Sequence, residues 1–298
     1  MGVSSPINVD SVFSPDYRGN MRKQVEQSWQ SSDPIRVTLL LIVAAFLAAP
    51  TTLCAQSPYQ LDREREWLLL VSGSALEIGG LVAHNNVKPL TLDEISALKA
   101  SDVNSFDRGA IRSYRKATAS DVLVGASIVL PLTLLADDQI RRDWKVVGVM
   151  WGETLLLETG LNNLVKGLSR RTRPYVYDQQ TPLSRKANPD ARASFYSGHT
   201  SAAAAMSFFT GRVFSDYLSD RKTRICLWSA AASYPVVVAI LRVESGKHFP
   251  SDVIVGYVAG AAIGYVIPEL HKAGRSKRIS LEPSHINGGP TVKLAYRF

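Results

Sequence analysis

The chain has 298 residues, of which 46% are hydrophobic, and its mean hydropathy is +0.00. These values are ordinary for a globular protein, and they argue against wholesale disorder and against a typical multi-span membrane protein. The net charge of +8 leaves nucleic acid, anionic lipid and anionic substrates open as partners. The two cysteines, Cys54 and Cys226, lack the spacing of a metal site, so we expect neither a disulfide framework nor bound zinc.

The N-terminal region contains a candidate export signal. Residues 1–36 are polar and rich in Ser, Asp and Pro, and we expect them to be disordered. An apolar run from Val37 to Ala49 follows, which is short for a membrane span and typical of the apolar part of a secretory signal. We therefore interpret residues 37–55 as a signal peptide, with an uncleaved membrane anchor as the alternative and Met21 as an alternative start.

Helical spacing of apolar residues dominates the rest of the chain. It predicts helices over roughly 67–83, 120–136, 144–168, 200–218, 223–241 and 251–271, with a short amphipathic piece near 91–99. Thr91 and Glu94 fit a capping box at the start of that short piece. The tail, residues 279–298, instead reads as two extended pieces around Gly288-Gly289-Pro290. The sequence therefore predicts an all-α domain over residues 60–271, followed by a short C-terminal β-hairpin.

The first of three cationic motifs is Lys166-Gly-Leu-Ser-Arg-Arg-Thr-Arg173-Pro174. Lys166 and Arg173 lie two helical turns apart, so both can face one side, and Pro174 favours a helix end there. Two cations at a helix end suit a phosphate group. Arg170 and Arg171 lie in the same stretch, so the alternative is a solvated basic helix face.

The second motif is Ser197-Gly198-His199, directly before an Ala-rich helical segment. Ser is a favoured helix N-cap, Gly lets a ligand approach the backbone, and the free N–H groups of a helix N-terminus attract anions. His199 is then a candidate proton donor to a leaving oxygen. The alternative is an ordinary capped helix with a surface histidine.

The third motif is Arg242, five residues, His248, three residues and Asp252. Pro250 suits the first position of a helix, and Asp252 lies about one turn after His248. A carboxylate at one ring nitrogen fixes the tautomer and leaves the other nitrogen free to attack. The alternative is a charged helix cap without chemistry.

In this order, the three motifs resemble those of the type 2 phosphatidic acid phosphatase (PAP2) superfamily, which contains phosphatases and the vanadium haloperoxidases. The resemblance covers about residues 120–270. Tyr196 replaces the usual Pro of the second motif, and Leu241 replaces the frequent Ser before Arg242. Neither change removes a reactive group, although Tyr196 can reshape the loop that carries Ser197.

The resemblance implies a PAP2-type six-helix bundle with the three motifs at one end. It implies that His248 is the nucleophile and forms a phosphohistidine, that Asp252 orients it, and that His199 protonates the leaving group. The residues implied to bind the phosphate oxygens are Lys166, Arg173, Ser197, Gly198 and Arg242. Fixed cations and amides suit the charge that develops on those oxygens, so no metal or cofactor is expected.

The expected function is metal-independent hydrolysis of phosphomonoesters or diphosphates, above all of lipid phosphates. Vanadate would then be an inhibitor. One alternative is a vanadium haloperoxidase with vanadate as cofactor, although only 22 residues separate Pro174 from Ser197 and haloperoxidases generally carry a longer insertion. The other is a non-enzymatic anion-binding module. No nucleic-acid motif appears, so we do not expect nucleic acid as a partner.

Three glutamates bear on the location of the protein. Glu77, Glu153 and Glu158 interrupt the predicted helices, where carboxylates are costly in lipid. We expect them on solvent-exposed faces if the bundle is soluble, and the alternative is that they face the site or a polar interface. Six spans after a cleaved signal would also place the motifs in the cytoplasm. We therefore expect an exported domain of the periplasm or cell envelope that is soluble or rests on a membrane surface. The alternative is an integral protein with six spans.

Overall fold

The computed structural model describes residues 57–273, together with the backbone of residues 279–286 and 289–296. Helix dominates this part of the chain, which confirms the mostly helical class. The predicted disordered segment 1–36 and the predicted signal or anchor 37–55 lie outside the described residues, so both stay predictions.

Ten α-helices lie in the described part of the chain. They are α1 (Arg63–Asn85), α2 (Leu92–Ala97), α3 (Ser105–Arg108), α4 (Thr118–Val129), α5 (Asp138–Arg142), α6 (Trp144–Ser169), α7 (Leu183–Lys186), α8 (Gly198–Tyr217), α9 (Arg221–Glu244) and α10 (Pro250–Leu270). A 3₁₀ segment, Leu130–Ala136, continues α4. The long elements α1, α4, α6, α8, α9 and α10 match the six predicted segments, and the capping box of Thr91 and Glu94 is confirmed at the start of α2.

Helix α8 lies at the centre of the domain and packs against α4, α6, α9 and α10. Its contact with α10 is very close, because a Cβ atom on Gly256, Gly260 or Gly264 would come within 2.6 Å or less of an α8 carbonyl oxygen. Glycines at this four-residue spacing let two helix backbones approach directly. The pairing also sets the start of α10 beside the start of α8, where the backbone N–H of Ser197 donates to the carbonyl of Asp252 at 3.0 Å.

The long helices alternate in direction, so one end of the domain collects all three motifs. Here the C-terminal ends of α1, α6 and α9 meet the N-terminal ends of α4, α8 and α10. The contacts that show this are Gly167 against Ala83, Asn162 with Tyr196, and Arg242 with Asp121. We call this the motif end, and we call the opposite end of the same helices the far end.

Within residues 57–273, four helices are long and apolar enough to cross a membrane: α1, α4 with its 3₁₀ extension, α9 and α10. Their large exposed apolar side chains include Trp67, Val71, Ile78, Val122, Leu132, Val237, Ile240, Ile254 and Val258. An apolar surface of this extent fits a lipid environment. The expectation drawn from the mean hydropathy does not hold for these helices, because the polar N-terminal residues and the connecting loops dilute the average.

The expectation that Glu77, Glu153 and Glu158 face solvent is wrong. Their exposures are 3%, 1% and 3%, because α1 and α6 pack face to face with these side chains inside the domain. None of the three therefore meets lipid, and the cost of a carboxylate in the membrane no longer argues against spanning helices.

Two strands follow the helical domain. Strand β1 (Ile279–Ile286) pairs antiparallel with β2 (Gly289–Tyr296), in a register that runs from Ile279 opposite Tyr296 to Ile286 opposite Gly289. Residues 287–288 and the strand side chains lie outside the described residues. The turn predicted at Gly288-Gly289-Pro290 and the packing of the hairpin on the helices therefore stay predictions.

Candidate active site

His248 lies in the loop between α9 and α10, with its side chain fully buried. Its Nδ1 lies 2.8 Å from the carbonyl oxygen of Ser194, and its Nε2 lies 3.5 Å from Nη1 of Arg173. Because a carbonyl only accepts, Nδ1 carries the proton and Nε2 keeps a free lone pair. Burial, with the charge of Arg173 next, holds the pKa of His248 well below its usual value. The imidazole is therefore neutral, as a nucleophile requires.

Asp252, predicted to orient His248, acts mainly through a neighbour. Its Oδ2 is 3.7 Å from Nδ1 of His248, but it accepts from the Ser194 hydroxyl at 2.5 Å and from the Phe249 N–H at 2.8 Å. The Ser194 carbonyl is the direct partner of the imidazole. Asp252 thus positions Ser194, whose carbonyl positions the imidazole of His248. Sequence analysis did not identify Ser194, because no local spacing connects it to the third motif.

Arg171 connects the first and third motifs. Its guanidinium lies over the ring of Phe249 at 4.4 Å and contacts Asp252 at 2.5 Å and Asp107 at 2.7 Å. The alternative of a solvated basic face is therefore wrong for Arg171, although 26% of its side-chain surface is exposed. Asp107 lies 64 residues earlier in the chain, so sequence spacing gave no sign of this pairing.

Arg173 and Lys166 supply two of the cations near His248. Arg173 is 4% exposed, and besides its approach to His248 it pairs with Asp190 at 2.6 Å and donates to the carbonyl of Lys247 at 3.2 Å. The ammonium of Lys166 lies against Gly198, since a Cβ atom there would be 3.1 Å from Nζ. The first motif therefore places both cations beside the second and third motifs.

The second motif forms the N-terminus of α8, as predicted. Ser197 is the N-cap, and its hydroxyl accepts from the Thr200 N–H at 3.4 Å. A Cβ atom at Gly198 would come within 2.6 Å of Oδ1 of Asn162, so a larger residue here would displace that side chain. Asn162 in turn donates to the carbonyl of Tyr196 at 3.1 Å, which fixes the loop before Ser197. The free N–H groups at this helix start suit an anion.

His199 and Arg242 share a carboxylate that sequence analysis did not single out. Oδ1 of Asp121, in the first turn of α4, lies 3.0 Å from Nε2 of His199 and 3.1 Å from Nη1 of Arg242. Burial and the charge of Arg242 lower the pKa of His199, and the Asp121 carboxylate opposes that shift. His199 is one-third exposed, so it remains accessible to a leaving group or to water.

The structure thus brings all eight predicted residues to the motif end. A tetrahedral anion in front of Nε2 of His248 would meet cations from α6, from α9 and from the loop after α6, and the N–H groups of α8. Such preorganised donors stabilise charge that develops in a transition state. The geometry suits phosphoryl transfer to an imidazole.

Comparisons with known proteins point to phosphatases. Residues 145–275 match the family model of the PAP2 superfamily. The chain is 26% identical over 151 residues to decaprenylphosphoryl-5-phosphoribose phosphatase of Mycobacterium tuberculosis, which covers 49% of this chain and 72% of that protein. It is 27% identical over 104 residues to lipid A 4'-phosphatase of Porphyromonas gingivalis, and this match covers 34% of this chain and 41% of that protein. No solved structure matches the chain. Residues 145–275 therefore resemble the PAP2 superfamily domain, and the similarity to these two proteins supports a phosphatase.

Proposed function

We propose that this protein hydrolyses a phosphate or diphosphate ester of a membrane lipid through a phosphohistidine on His248. The observation that carries the proposal is the orientation of that imidazole. The Ser194 carbonyl accepts a hydrogen bond from the Nδ1–H, and the unprotonated Nε2 faces Arg173. A buried neutral imidazole among cations is well suited to attack phosphorus and poorly suited to a purely structural role.

In the first step, Nε2 of His248 attacks phosphorus and the bond to the leaving oxygen breaks. His199 donates a proton to that oxygen as it leaves. The three equatorial oxygens of the phosphoryl group are held by Lys166, Arg173, Arg242 and the N–H groups at the start of α8. These charges oppose the negative charge that spreads over those oxygens in the transition state.

In the second step, His199 accepts a proton from water, and the resulting hydroxide attacks phosphorus. The bond between phosphorus and Nε2 breaks, inorganic phosphate leaves, and His248 returns to its neutral form. Asp121 and Asp252 take no part in bond making and keep the two histidines in place. Because side chains and amides supply the positive charge, we propose that the reaction is independent of metal.

A groove beside the site supports a lipid as substrate. It has a volume of about 590 Å³, lies between α9 and α10, and is lined mainly by apolar side chains that include Ile240, Val243, Ile254 and Tyr257. Val243 is the chain neighbour of Arg242, so the groove begins beside the phosphate-binding residues. We propose that it holds the hydrocarbon chain. The names of both relatives, a decaprenylphosphoryl phosphatase and a lipid A phosphatase, agree with this substrate class.

We further propose that the long helices span the membrane, in place of the expected soluble or surface-bound domain. Exposed apolar side chains on α1, α4, α9 and α10 support this, as does the burial of Glu77, Glu153 and Glu158. A lipid phosphate would then reach the motif end from within the bilayer surface. Export by the segment 37–55 stays a prediction.

Phosphate release by the purified full chain in detergent tests the proposal. We expect turnover of a prenyl phosphate or phosphatidic acid with EDTA present, and at least a thousandfold loss in His248→Ala and His248→Asn, because both remove the nucleophile. Radiolabelled substrate should leave an acid-labile, alkali-stable label on the wild type alone. Circular dichroism and the melting temperature serve as the control for folding.

Full activity in folded His248→Ala would contradict the mechanism. Loss of turnover in EDTA, with recovery on adding a metal, would contradict metal independence. Oxidation of bromide that requires vanadate and peroxide would favour the haloperoxidase alternative.

A further inference from the structure

A second cluster of reactive side chains lies at the far end, away from the proposed active site. Glu66 comes from the first turn of α1, Glu153 from α6, and His271 directly follows α10. All three side chains are buried, with exposures of 1%, 1% and 0%. Nε2 of His271 lies 2.9 Å from Oε1 of Glu66 and 3.1 Å from Oε2 of Glu153. Three helices therefore converge on one point through one nitrogen and two oxygens.

The orientation of His271 leaves Nε2 without a good hydrogen bond. Its Nδ1 lies 2.8 Å from the carbonyl oxygen of Ile267, which only accepts, so Nδ1 carries a proton. Among the described residues, neither Nε2 of His271 nor either carboxylate oxygen of Glu153 has a hydrogen-bond partner in line with it. Buried polar atoms are rarely left in this way. Two carboxylates that face one ring nitrogen require a positive charge between them, either a second proton on the imidazole or a metal ion.

We propose that Glu66, Glu153 and His271 bind a divalent transition-metal cation of the Zn²⁺ type. Metal bonds of about 2.0–2.2 Å to nitrogen and oxygen place the ligand atoms of a tetrahedral site roughly 3.4 Å apart, so the two observed distances of 2.9 and 3.1 Å need to lengthen by only a few tenths of an ångström. An imidazole with two carboxylates suits such a cation. The bond from Nδ1 to the Ile267 carbonyl is also the outer contact that orients metal-binding histidines.

The rival explanation is a second proton on His271, carried by Nε2. This proton satisfies the hydrogen-bonding needs of the cluster less well than a metal ion does. Arg65 donates to Oε1 of Glu66 at 2.7 Å, so Glu66 already has a cation beside it. One N–H at Nε2 can serve only one carboxylate oxygen, and Glu153 would keep an unpaired buried oxygen. A divalent cation contacts all three ligand atoms at once and balances the charge of Glu153.

The cation would have a structural role. Glu153 and Lys166 lie on the same helix, thirteen residues and therefore about 20 Å apart at 1.5 Å per residue. The cluster is too far from His248 to contact a phosphoryl group, so it leaves the proposed metal-independent chemistry unchanged. Its effect is to hold the start of α1 and the first half of α6 to the end of α10.

Metal binding by the untagged full chain in detergent tests this proposal. After removal of metals with a chelator and addition of Zn²⁺, we expect one retained Zn²⁺ per chain by elemental analysis and a rise in melting temperature. Co²⁺ should give a visible absorption band that Zn²⁺ removes. Glu153→Gln and His271→Ala should each reduce retained metal at least tenfold. The matched controls Glu77→Gln and His248→Ala should keep it, which separates this cluster from other buried carboxylates and from the proposed active site.

The proposal is overturned if the stripped wild type retains no Zn²⁺, shows no Co²⁺ band and keeps its melting temperature at saturating Zn²⁺. Those results would assign the cluster to a proton-bound ion pair. Equal binding by folded His271→Ala would also overturn it. The wild-type measurements decide the matter even if a variant fails to fold.

Discussion

Asp121 is the residue at the proposed active site whose role is least evident from its position in the chain. One of its oxygens contacts both His199 and Arg242, so it fixes the distance between the proposed proton donor and a phosphate-binding cation. A carboxylate beside an imidazole also favours its protonated form. Asp121 therefore acts as a positioning residue that helps His199 to carry the proton it donates.

We predict that Asp121→Asn lowers kcat about tenfold and moves the alkaline limb of the pH–rate profile to lower pH. The carboxylate raises the pKa of His199, so its removal lets His199 lose its proton at a lower pH, and the general acid disappears sooner. A pH series of kcat on one lipid phosphate measures the shift. Asp138→Asn, an exposed carboxylate in α5, should leave the profile unchanged.

An unchanged pH profile in Asp121→Asn would contradict this role, whatever happens to kcat. A parallel fall at every pH would indicate that Asp121 only holds Arg242.

The proximity of the proposed site residues within each motif was predictable because each motif is local in sequence, whereas the residues that support them were not. Ser197, Gly198 and His199 are adjacent, and His248 and Asp252 are one turn apart, so spacing alone brings them together. Asp121 reaches His199 across 78 residues, and Arg171 reaches Asp107 across 64. Such contacts depend on which helices pack together, which residue spacing does not encode.

At the scale of helices, the pair α9 and α10 combines two functions. The faces that carry Arg242 and Asp252 turn inward to the proposed site, and Val243, Ile254 and Tyr257 line the apolar groove. If the groove holds the hydrocarbon chain, filling it should affect long-chain substrates and spare short ones.

We predict that Ala239→Phe, which fills the groove, lowers kcat/KM for a long-chain prenyl phosphate about tenfold. Displacing two methylene groups costs roughly 1.6 kcal/mol at 0.8 kcal/mol each, and 1.4 kcal/mol corresponds to tenfold. The rate on a short, soluble phosphomonoester should stay the same. Val237→Phe, on the exposed part of α9 outside the groove, is the matched control. An equal loss on both substrates would show that the change disturbs the site instead of chain binding.

Helix positions followed from the sequence more readily than helix packing. The segment predicted over 144–168 is Trp144–Ser169 in the structure, because its apolar residues repeat at helical spacing. The close contact of α8 with α10 was missed, although Gly256, Gly260 and Gly264 recur every four residues. That spacing typifies helices whose backbones touch in a membrane, and it was the available signal.

At the scale of the whole molecule, the environment is the main change from the sequence interpretation. The mean hydropathy combines apolar helices with polar loops and a polar N-terminal region, so it hides the four described helices that are both long and apolar enough to span. In the sequence, Glu77, Glu153 and Glu158 argued against a lipid environment. Residue spacing does not show that these side chains lie inside the domain, where α1 packs against α6. Burial removes that objection, and the four apolar helices of the described residues favour the proposed membrane-spanning domain over a soluble one.

We predict that the motif end and the far end lie on opposite sides of a membrane. Helix α9 has 24 residues and is about 36 Å long, more than the roughly 30 Å thickness of a hydrocarbon core. Single cysteines introduced by Ser184→Cys in α7 and Lys222→Cys at the start of α9 would mark the two ends, in a Cys54→Ala, Cys226→Ala background. In intact cells a membrane-impermeant maleimide should label one of them, and permeabilisation should expose the other. Retained lipid phosphatase activity is the control for folding. Labelling of both cysteines in intact cells would show instead that the domain rests on the outer surface of the membrane, because no helix would then separate the two ends.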